Sequence, residues 1–369
     1  MSKALSPIPF FSAPREFQAH REEFLRAVET CAKGPTLILG EHVQTFEERF
    51  ASSCGVPEAV GVANGTDAIA LALKALEVGE GDEVITVANT AVPTVAAIRM
   101  AGATPVFVDI DPKSLLMDTT KVEAALTPKT KAILPVHLFG NPVPMQEVLA
   151  IAQKKKLAVI EDCAQAYGGT LEGKPVGSFG DIACFSFYPT KNLGGWGDGG
   201  MCITKDAELA SRIKSLRMYG YGKERIAERE GVNSRLDELQ AAILLVKMQH
   251  FPEDFARKRA IALRYDAALQ KSSLQSLQTT KNAEHGYHLY VVKAKDRPST
   301  LRQFQEKGIA PLIHYEYPIH LMPAYAFLGY GKGSLPVTEE AAEHILSVPL
   351  YPYLTDEEVE RVCECLRAS

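Results

Sequence analysis

No apolar run in the 369 residues approaches the ~18 that a helix needs to cross a bilayer, so no membrane partner is expected. The opening residues, Met-Ser-Lys-Ala-Leu-Ser-Pro, lack the apolar core of a secretory signal. Basic blocks are missing too. Lys+Arg number 40 against 45 Asp+Glu, a net charge of -5, which argues against nucleic acid as a partner. Internal repeats and low-complexity tracts are absent, so a solenoid or a disordered array is excluded. Cysteine is sparse: 7, an odd count, and scattered. Cys163, Cys184 and Cys202 lie in or beside strand-like runs and read as small buried apolar residues of a reducing, cytoplasmic compartment. Cys363 and Cys365 stand two apart on an expected helix. They point different ways and make a poor metal pair, so no metal is expected.

What is present is a chain long enough for a large core, 46% hydrophobic and 23% charged. The length suggests about two domains. Seven short β-rich runs alternate with helical stretches between residues 60 and 204: Val60–Ala63, Val84–Val87, Pro105–Val108, Ala132–Val136, Ala158–Glu161, Ile182–Phe187 and Met201–Thr204. Thr66–Leu76, Thr120–Leu126 and Met145–Lys155 read as helices, Thr120 with Glu123 as a capping box. The alternation predicts an α/β fold with a mostly parallel seven-stranded sheet flanked by helices. Residues 188–199 are glycine-rich without helical period, and a parallel crossover needs a helix, so the seventh strand is expected to run antiparallel. Residues 1–57 read as an arm and one or two helices, 58–250 as the large domain, and 251–369 as a linking helix and a smaller α+β domain. In the last two, Leu236–His250 and Pro252–Gln270 read as separate long helices and Met218–Val232 as a flexible loop. His288–Val292 reads as a strand, Thr300–Lys307 as a helix, and a final helix is capped by Thr355 with Glu358.

Four stretches carry chemistry. Ala63-Asn64-Gly65-Thr66-Asp67 ends a strand and opens a helix, whose free N–H groups suit a phosphate; Thr66 or Asp67 is alternatively a plain N-cap. Val159-Ile160-Glu161-Asp162 ends an apolar strand in two acids. Asp162 lies where open α/β sheets bind ligands and suits a cationic ring nitrogen, a metal or a ribose, or caps the next helix. Lys191 follows Ser186-Phe187-Tyr188-Pro189-Thr190 and precedes a glycine loop. A surface lysine is the ordinary reading; a desolvated one forms a Schiff base. The glycines of Gly194–Gly200 lack the helix that a dinucleotide fingerprint requires. Asn233-Ser234-Arg235 opens a long helix and offers donors for an anion, with Ser234 and Asp237 as a cap.

These stretches, in this order, closely resemble the pyridoxal-phosphate sugar aminotransferases of the DegT/DnrJ/EryC1/StrS family, of fold type I. The resemblance runs from Ile38-Leu39-Gly40 to Val348-Pro349-Leu350. It implies pyridoxal 5'-phosphate as cofactor, held in residues 58–250. It implies that Lys191 carries the cofactor as a Schiff base and then shuttles the proton, and that Asp162 keeps the pyridine nitrogen protonated. Gly65, Thr66 and Ser186 would hold the phosphate, Gln165 would lie against the ring or its phenolic oxygen, and Asn233 would reach the phosphate in the other subunit of a homodimer. Two departures stand out. Ala91 occupies the place where many members carry an aromatic stacker. The usual His-Tyr-Pro-x-Pro is replaced by His314-Tyr315-Glu316-Tyr317-Pro318-Ile319-His320. His314 and His320 either touch sugar or phosphate or only fix the loop. Arg235 and the 218–232 loop are candidates for anionic groups.

The resemblance further implies amino transfer from L-glutamate, released as 2-oxoglutarate, to a keto group of a dTDP- or UDP-linked deoxy sugar. The loop Leu193–Gly200 looks more like members acting at the third carbon than the fourth. Alternatives are another keto-sugar or cyclitol aminotransferase or dehydratase of this fold, or a non-catalytic regulatory relative. Dehydratases carry histidine at the Schiff-base position, so Lys191 argues against them.

Overall fold

The computed structural model describes residues 6–369. Three helices precede the first strand: α1 (Ala13–Ala19), α2 (Arg21–Lys33) and α3 (Glu41–Ser53). The one or two expected become three because His20 leaves helical backbone (φ -127°, ψ 28°) and splits the first pair. The start of the expected arm lies outside the described residues.

The chain then alternates: β1 (Glu58–Val62), α4 (Gly65–Ala75), β2 (Glu83–Val87), α5 (Val92–Met100), β3 (Thr104–Val108), β4 (Thr130–Ile133), α6 (Met145–Lys155) and β5 (Ala158–Asp162). A two-residue hairpin, β6 (Thr170–Leu171) and β7 (Lys174–Pro175), precedes β8 (Ile182–Ser186) and β9 (Gly200–Thr204). All seven expected strands join one sheet in the order β1-β9-β8-β5-β4-β2-β3. β9 runs antiparallel between β1 and β8, and the other pairs are parallel. The glycine loop before β9 does return the chain without a helix, as its composition predicts.

Thr120–Leu126 is not an α-helix. Two 3-10 turns, Thr119–Lys121 and Glu123–Ala125, stand there. The capping box also fails: Glu123 is drawn to Lys154 at 2.8 Å, and Asp118 accepts the Thr120 N–H instead. At α4 the cap is Asn64, not Thr66 or Asp67. Its side chain accepts from the Asp67 N–H at 2.8 Å. Ala68 to Leu73 of this helix are buried beneath the sheet, which makes α4 the floor of the large core.

Beyond β9 come α7 (Ala207–Leu216) and α8 (Glu238–Leu269). The two long helices expected on either side of Pro252 are one helix of 32 residues. An interior proline removes one backbone bond and costs about 3 kcal/mol. Packing on both sides outweighs it: Ala241 and Leu244 are buried against α3 and the sheet, Ile261, Ala262 and Tyr265 in the small unit. The helix therefore crosses residue 250, where one unit was expected to give way to another. The 218–232 segment, read as flexible, is closed at its base by Tyr219 N–H to Val232 O (3.0 Å) and by a Met218–Asn233 bridge.

After α8 come β10 (Gln275–Ser276), β11 (Ala283–Glu284), β12 (Tyr290–Lys293), α9 (Arg297–Glu306), α10 (Pro336–His344), β13 (Ile345–Val348) and α11 (Asp356–Ala368). β11 pairs antiparallel with β6 and Ala341 of α10 packs in the large core, while β12, β13 and α11 share a second apolar core with the end of α8. β10, β12 and β13 form an antiparallel sheet. Against expectation, β12 begins two residues after His288. α9 begins before Thr300, because Asp296 caps the Ser299 N–H at 3.0 Å and Pro298 sits in its first turn. Thr355 and Glu358 form both halves of a capping box on α11, as the sequence predicts.

Candidate active site

A cavity of about 280 Å³ opens at the carboxyl ends of the parallel strands. Strand ends deliver its lining: Asn64, Gly65 and Thr66 after β1, Thr90, Ala91 and Thr94 after β2, Asp162 closing β5 and Ser186 closing β8. Gln165 and Lys191 complete the side chains that the sequence singles out.

One end of the cavity is built for an anion. Asn64 caps the Asp67 amide, so the Gly65 and Thr66 amides at the head of α4 find no acceptor among the described residues. They point their donors, with the helix dipole, at the cavity. The Ser186 hydroxyl stands beside them. A Cβ on Gly65 would come within 2.7 Å of the Ser186 Cβ, so only glycine allows this approach. Ser186 Oγ accepts from the Tyr188 N–H at 3.3 Å, which leaves its own hydrogen to donate.

The other end is acidic. Asp162 is 4% exposed. Its Oδ2 accepts from the Thr94 hydroxyl at 2.8 Å and its Oδ1 from the Ala164 N–H at 3.1 Å. Burial raises its carboxyl above the usual range, against those bonds and the charge of Lys191. A buried acid without a close cation is a seat for a positive group. Lys191 lines the same cavity. Burial lowers its ammonium to about 8, opposed by Asp162, so a usable fraction is free amine near neutrality.

Glu161 faces away from the cavity, into the sheet. It accepts from His137 Nε2 (3.0 Å) and from the N–H groups of Gly177, Phe179 and Gly180 (3.0, 2.8 and 2.8 Å). Burial would raise it, yet these donors outweigh that and hold it below the ordinary value. Of the paired acids, one fixes the fold and the other faces the cavity. Gln165 is held on both sides, its Oε1 accepting from Phe139 N–H (2.7 Å) and its Nε2 donating to Tyr315 Oη (2.9 Å).

Four expected residues do not line this cavity. Asn233 is exposed at the base of the 218–232 segment. Arg235 has only Met218 Sδ at 4.0 Å and no acidic partner among the described residues. His314 bonds Ser347 Oγ through Nδ1 at 2.9 Å, and burial beside Lys191 lowers it to about 4, which keeps it neutral. His320 is buried against Glu339 (3.1 Å) in a separate apolar cluster near Phe107 and fixes its loop. Glu316 pairs with Arg297 at 3.7 Å. Ser234 is not a helix cap; its Oγ accepts from the Ala63 N–H at 3.1 Å and pins the strand end beside the site.

Thr94, Asn192, Lys258 and His288 also stand close to these groups. Thr94 holds Asp162 and Asn192 binds Lys258 (2.9 Å). His288 is buried, with Nδ1 unpartnered among the described residues. Their signal lies in tertiary distance, and no local motif marks them.

Comparison with known proteins agrees with this geometry. Residues 18–367 match the DegT/DnrJ/EryC1/StrS aminotransferase family. A "pleiotropic regulatory protein" of Geobacillus stearothermophilus is 42% identical over 97% of each chain. The dTDP-3-amino-3,4,6-trideoxy-alpha-D-glucose transaminase of Micromonospora megalomicea is 44% identical, covering 95% of this chain and 96% of that one. The crystal structure of S. venezuelae DesV in complex with ketimine intermediate superposes with TM-score 0.96 at 38% identity, covering 98% of each chain. With the fold, the cavity and the whole-length match in accord, this chain belongs to the DegT/DnrJ/EryC1/StrS family of fold type I, pyridoxal 5'-phosphate-dependent aminotransferases.

Proposed function

We propose that the chain moves an amino group from L-glutamate to the keto carbon of a nucleoside-diphosphate-linked deoxy sugar, at the third carbon. The observation that carries the reading is one cavity holding Lys191, Asp162 and the free Gly65 and Thr66 amides. They fit the cofactor part by part: donors for its phosphate, a buried acid for its ring nitrogen, a desolvated amine for its carbonyl. Bound there, the cofactor supplies an electron sink for breaking the bond to the amino-bearing carbon's hydrogen. Lys191 holds the cofactor between turnovers and, once released, takes and returns that proton at Nζ. Asp162 keeps the ring nitrogen charged, and Thr94 keeps Asp162 aimed. Gly65, Thr66 and Ser186 anchor the phosphate, and Gln165, clamped between Phe139 and Tyr315, buttresses the ring.

The third-carbon assignment is supported by the loop Leu193–Gly200 and by the printed activity of the Micromonospora relative. Ala91 at the cavity wall leaves room that an aromatic residue would take. Asn233 and Arg235, outside this chain's own cavity, support a homodimer in which each chain lends them to its partner's phosphate and substrate. In this reading residues 58–250 form the cofactor unit, with α8 continuing into the small unit. Seven buried free cysteines support a reducing, cytoplasmic setting, and among the described residues no helix is long and apolar enough to cross a membrane.

The Geobacillus relative's name favours a second reading, a regulator without catalysis. A single experiment separates them. The pyridoxamine form is mixed with nucleotide-linked 3-keto and 4-keto sugars, and the visible absorbance of the pyridoxal form is followed. Return of absorbance with 3-keto sugars alone is expected. Return with 4-keto sugars only overturns the regiochemistry, and none with any sugar favours the regulator.

A further inference from the structure

Lys258 sits in the middle of α8, 8% exposed. Among the described residues it makes no ion pair; its one hydrogen bond runs from Nζ to Asn192 Oδ1 at 2.9 Å. Burial pulls the amine down to about 7, although Asp254, one turn earlier, favours the charge. His285 and His288 face it from the segment before β12, and both are neutral, held well below the ordinary histidine value by burial and by the nearby lysines. A buried lysine in such company costs the fold stability. A residue kept at such a cost calls for a functional account.

Asn192 supplies one. It follows Lys191 directly, and its amide is fully used. Nδ2 donates to Tyr167 O (2.8 Å) and Gly286 O (2.6 Å), while Oδ1 accepts from Lys258. Two carbonyls on one side and an amine on the other leave one orientation for this amide. It joins the turn after β5, the segment leading to β12 and helix α8 at the residue beside Lys191. The backbone adds Lys191 N–H to Tyr188 O at 2.8 Å and, further along the loop, Gly195 N–H to Phe187 O at 2.7 Å, but among the described residues no bond from Asn192 itself.

We propose that Lys258 is a positioning residue: through Asn192 it fixes the backbone from which Lys191 reaches the cofactor. The inference rests on the reading that Lys191 is the cofactor lysine. Removing the amine frees Oδ1, and the amide can then turn and release its carbonyls. A small misplacement of the reacting amine costs roughly 10- to 100-fold in rate.

The test is a double-substitution cycle of Lys258→Met and Asn192→Ala in the full chain, with Lys258→Arg as rescue. Three quantities are read: thermal midpoint, the rate at which apo protein captures pyridoxal 5'-phosphate, and kcat against KM for the amino donor. Lys258→Met should keep or raise the midpoint, slow capture and kcat at least tenfold, and leave KM nearly unchanged. The double variant should be no slower than Asn192→Ala, and arginine should recover part of the loss. Wild-type capture in Lys258→Met, or losses that multiply in the double variant, overturn the proposal. So does a rate loss in Lys258→Met accompanied by a lowered midpoint and no rescue, which marks a merely structural role. Borohydride reduction and peptide mapping of the unaltered protein check the underlying reading separately: a label on a lysine other than Lys191 sinks that reading first.

Discussion

Thr94 donates its hydroxyl hydrogen to Asp162 at 2.8 Å, joining the first turn of α5 to the last residue of β5. An ionised carboxylate only accepts, so the donor is fixed. Thr94 Oγ1 must then accept from Thr90 at 2.9 Å. The two hydroxyls form a directed relay whose end is the acid. Thr94→Val keeps the shape and removes the donor. A bond to a charged group is worth about 1.5–3 kcal/mol, so cofactor affinity or kcat should fall roughly tenfold or more, with Thr94→Ser largely normal. Unchanged values in the valine variant would show that Asp162 needs no such support.

The Lys191 amine should set the pH dependence of cofactor capture. Only the free amine attacks a carbonyl, and its ammonium titrates at about 8. Capture by apo protein should rise about tenfold per pH unit below that value and level off above it. The charge of Asp162 holds the proton on Lys191, so Asp162→Asn should shift the midpoint downward while depressing turnover by orders of magnitude. Lys191→Ala should remove the borohydride-trapped adduct without unfolding the chain. A flat profile, or near-native turnover in Asp162→Asn, would contradict the assignments.

Asn233 provides a test of shared sites. Asn233→Asp puts a negative charge where a partner's phosphate is proposed to bind, and should nearly abolish activity by itself. Mixing that chain with Lys191→Ala chains yields heterodimers in which one site carries both defects and the other neither. Random exchange should restore about a quarter of normal activity per chain. Mixed chains that associate, as seen by sedimentation, without any recovery would rule out a shared site.

Glu161 should govern acid stability. Its folded pKa lies below the ordinary 4.5. The stabilisation is therefore fully present above about 4.5 and is lost as pH falls through the folded value. Glu161→Ala leaves His137 Nε2–H and three buried backbone N–H groups without their acceptor, at about 1–3 kcal/mol each, so it should unfold at markedly lower denaturant. Glu161→Gln should flatten the acid limb of the stability profile. An acid limb identical to that of the unaltered chain would assign it to other carboxylates.

The sheet was legible from the sequence because its strands are apolar runs closed by turn residues, and because the glycine loop 188–199 left β9 no helix to cross on. The acid at Asp162 and the lysine at 191 were legible as strand-end residues of unusual chemistry. Elsewhere distant groups decide the local structure. Glu123 turned to Lys154 instead of capping. Pro252 stayed helical because both flanks are packed. His320 looked like a ligand-binding residue beside Pro318, yet Glu339, nineteen residues away, takes it into a separate cluster. Thr94, Asn192 and Lys258 carry no local signature, since each matters only through a partner brought close by the fold.

The unbroken α8 spans about 48 Å at 1.5 Å per residue. Its first turns pack under the sheet and its last turns under the small unit, so it acts as a shared axle. A swing of the small unit cannot pivot at residue 250. Just before the first turn of α8, Ser234 Oγ accepts from the Ala63 N–H at 3.1 Å, so a displacement of the start of α8 would be felt at the strand end beside the cavity.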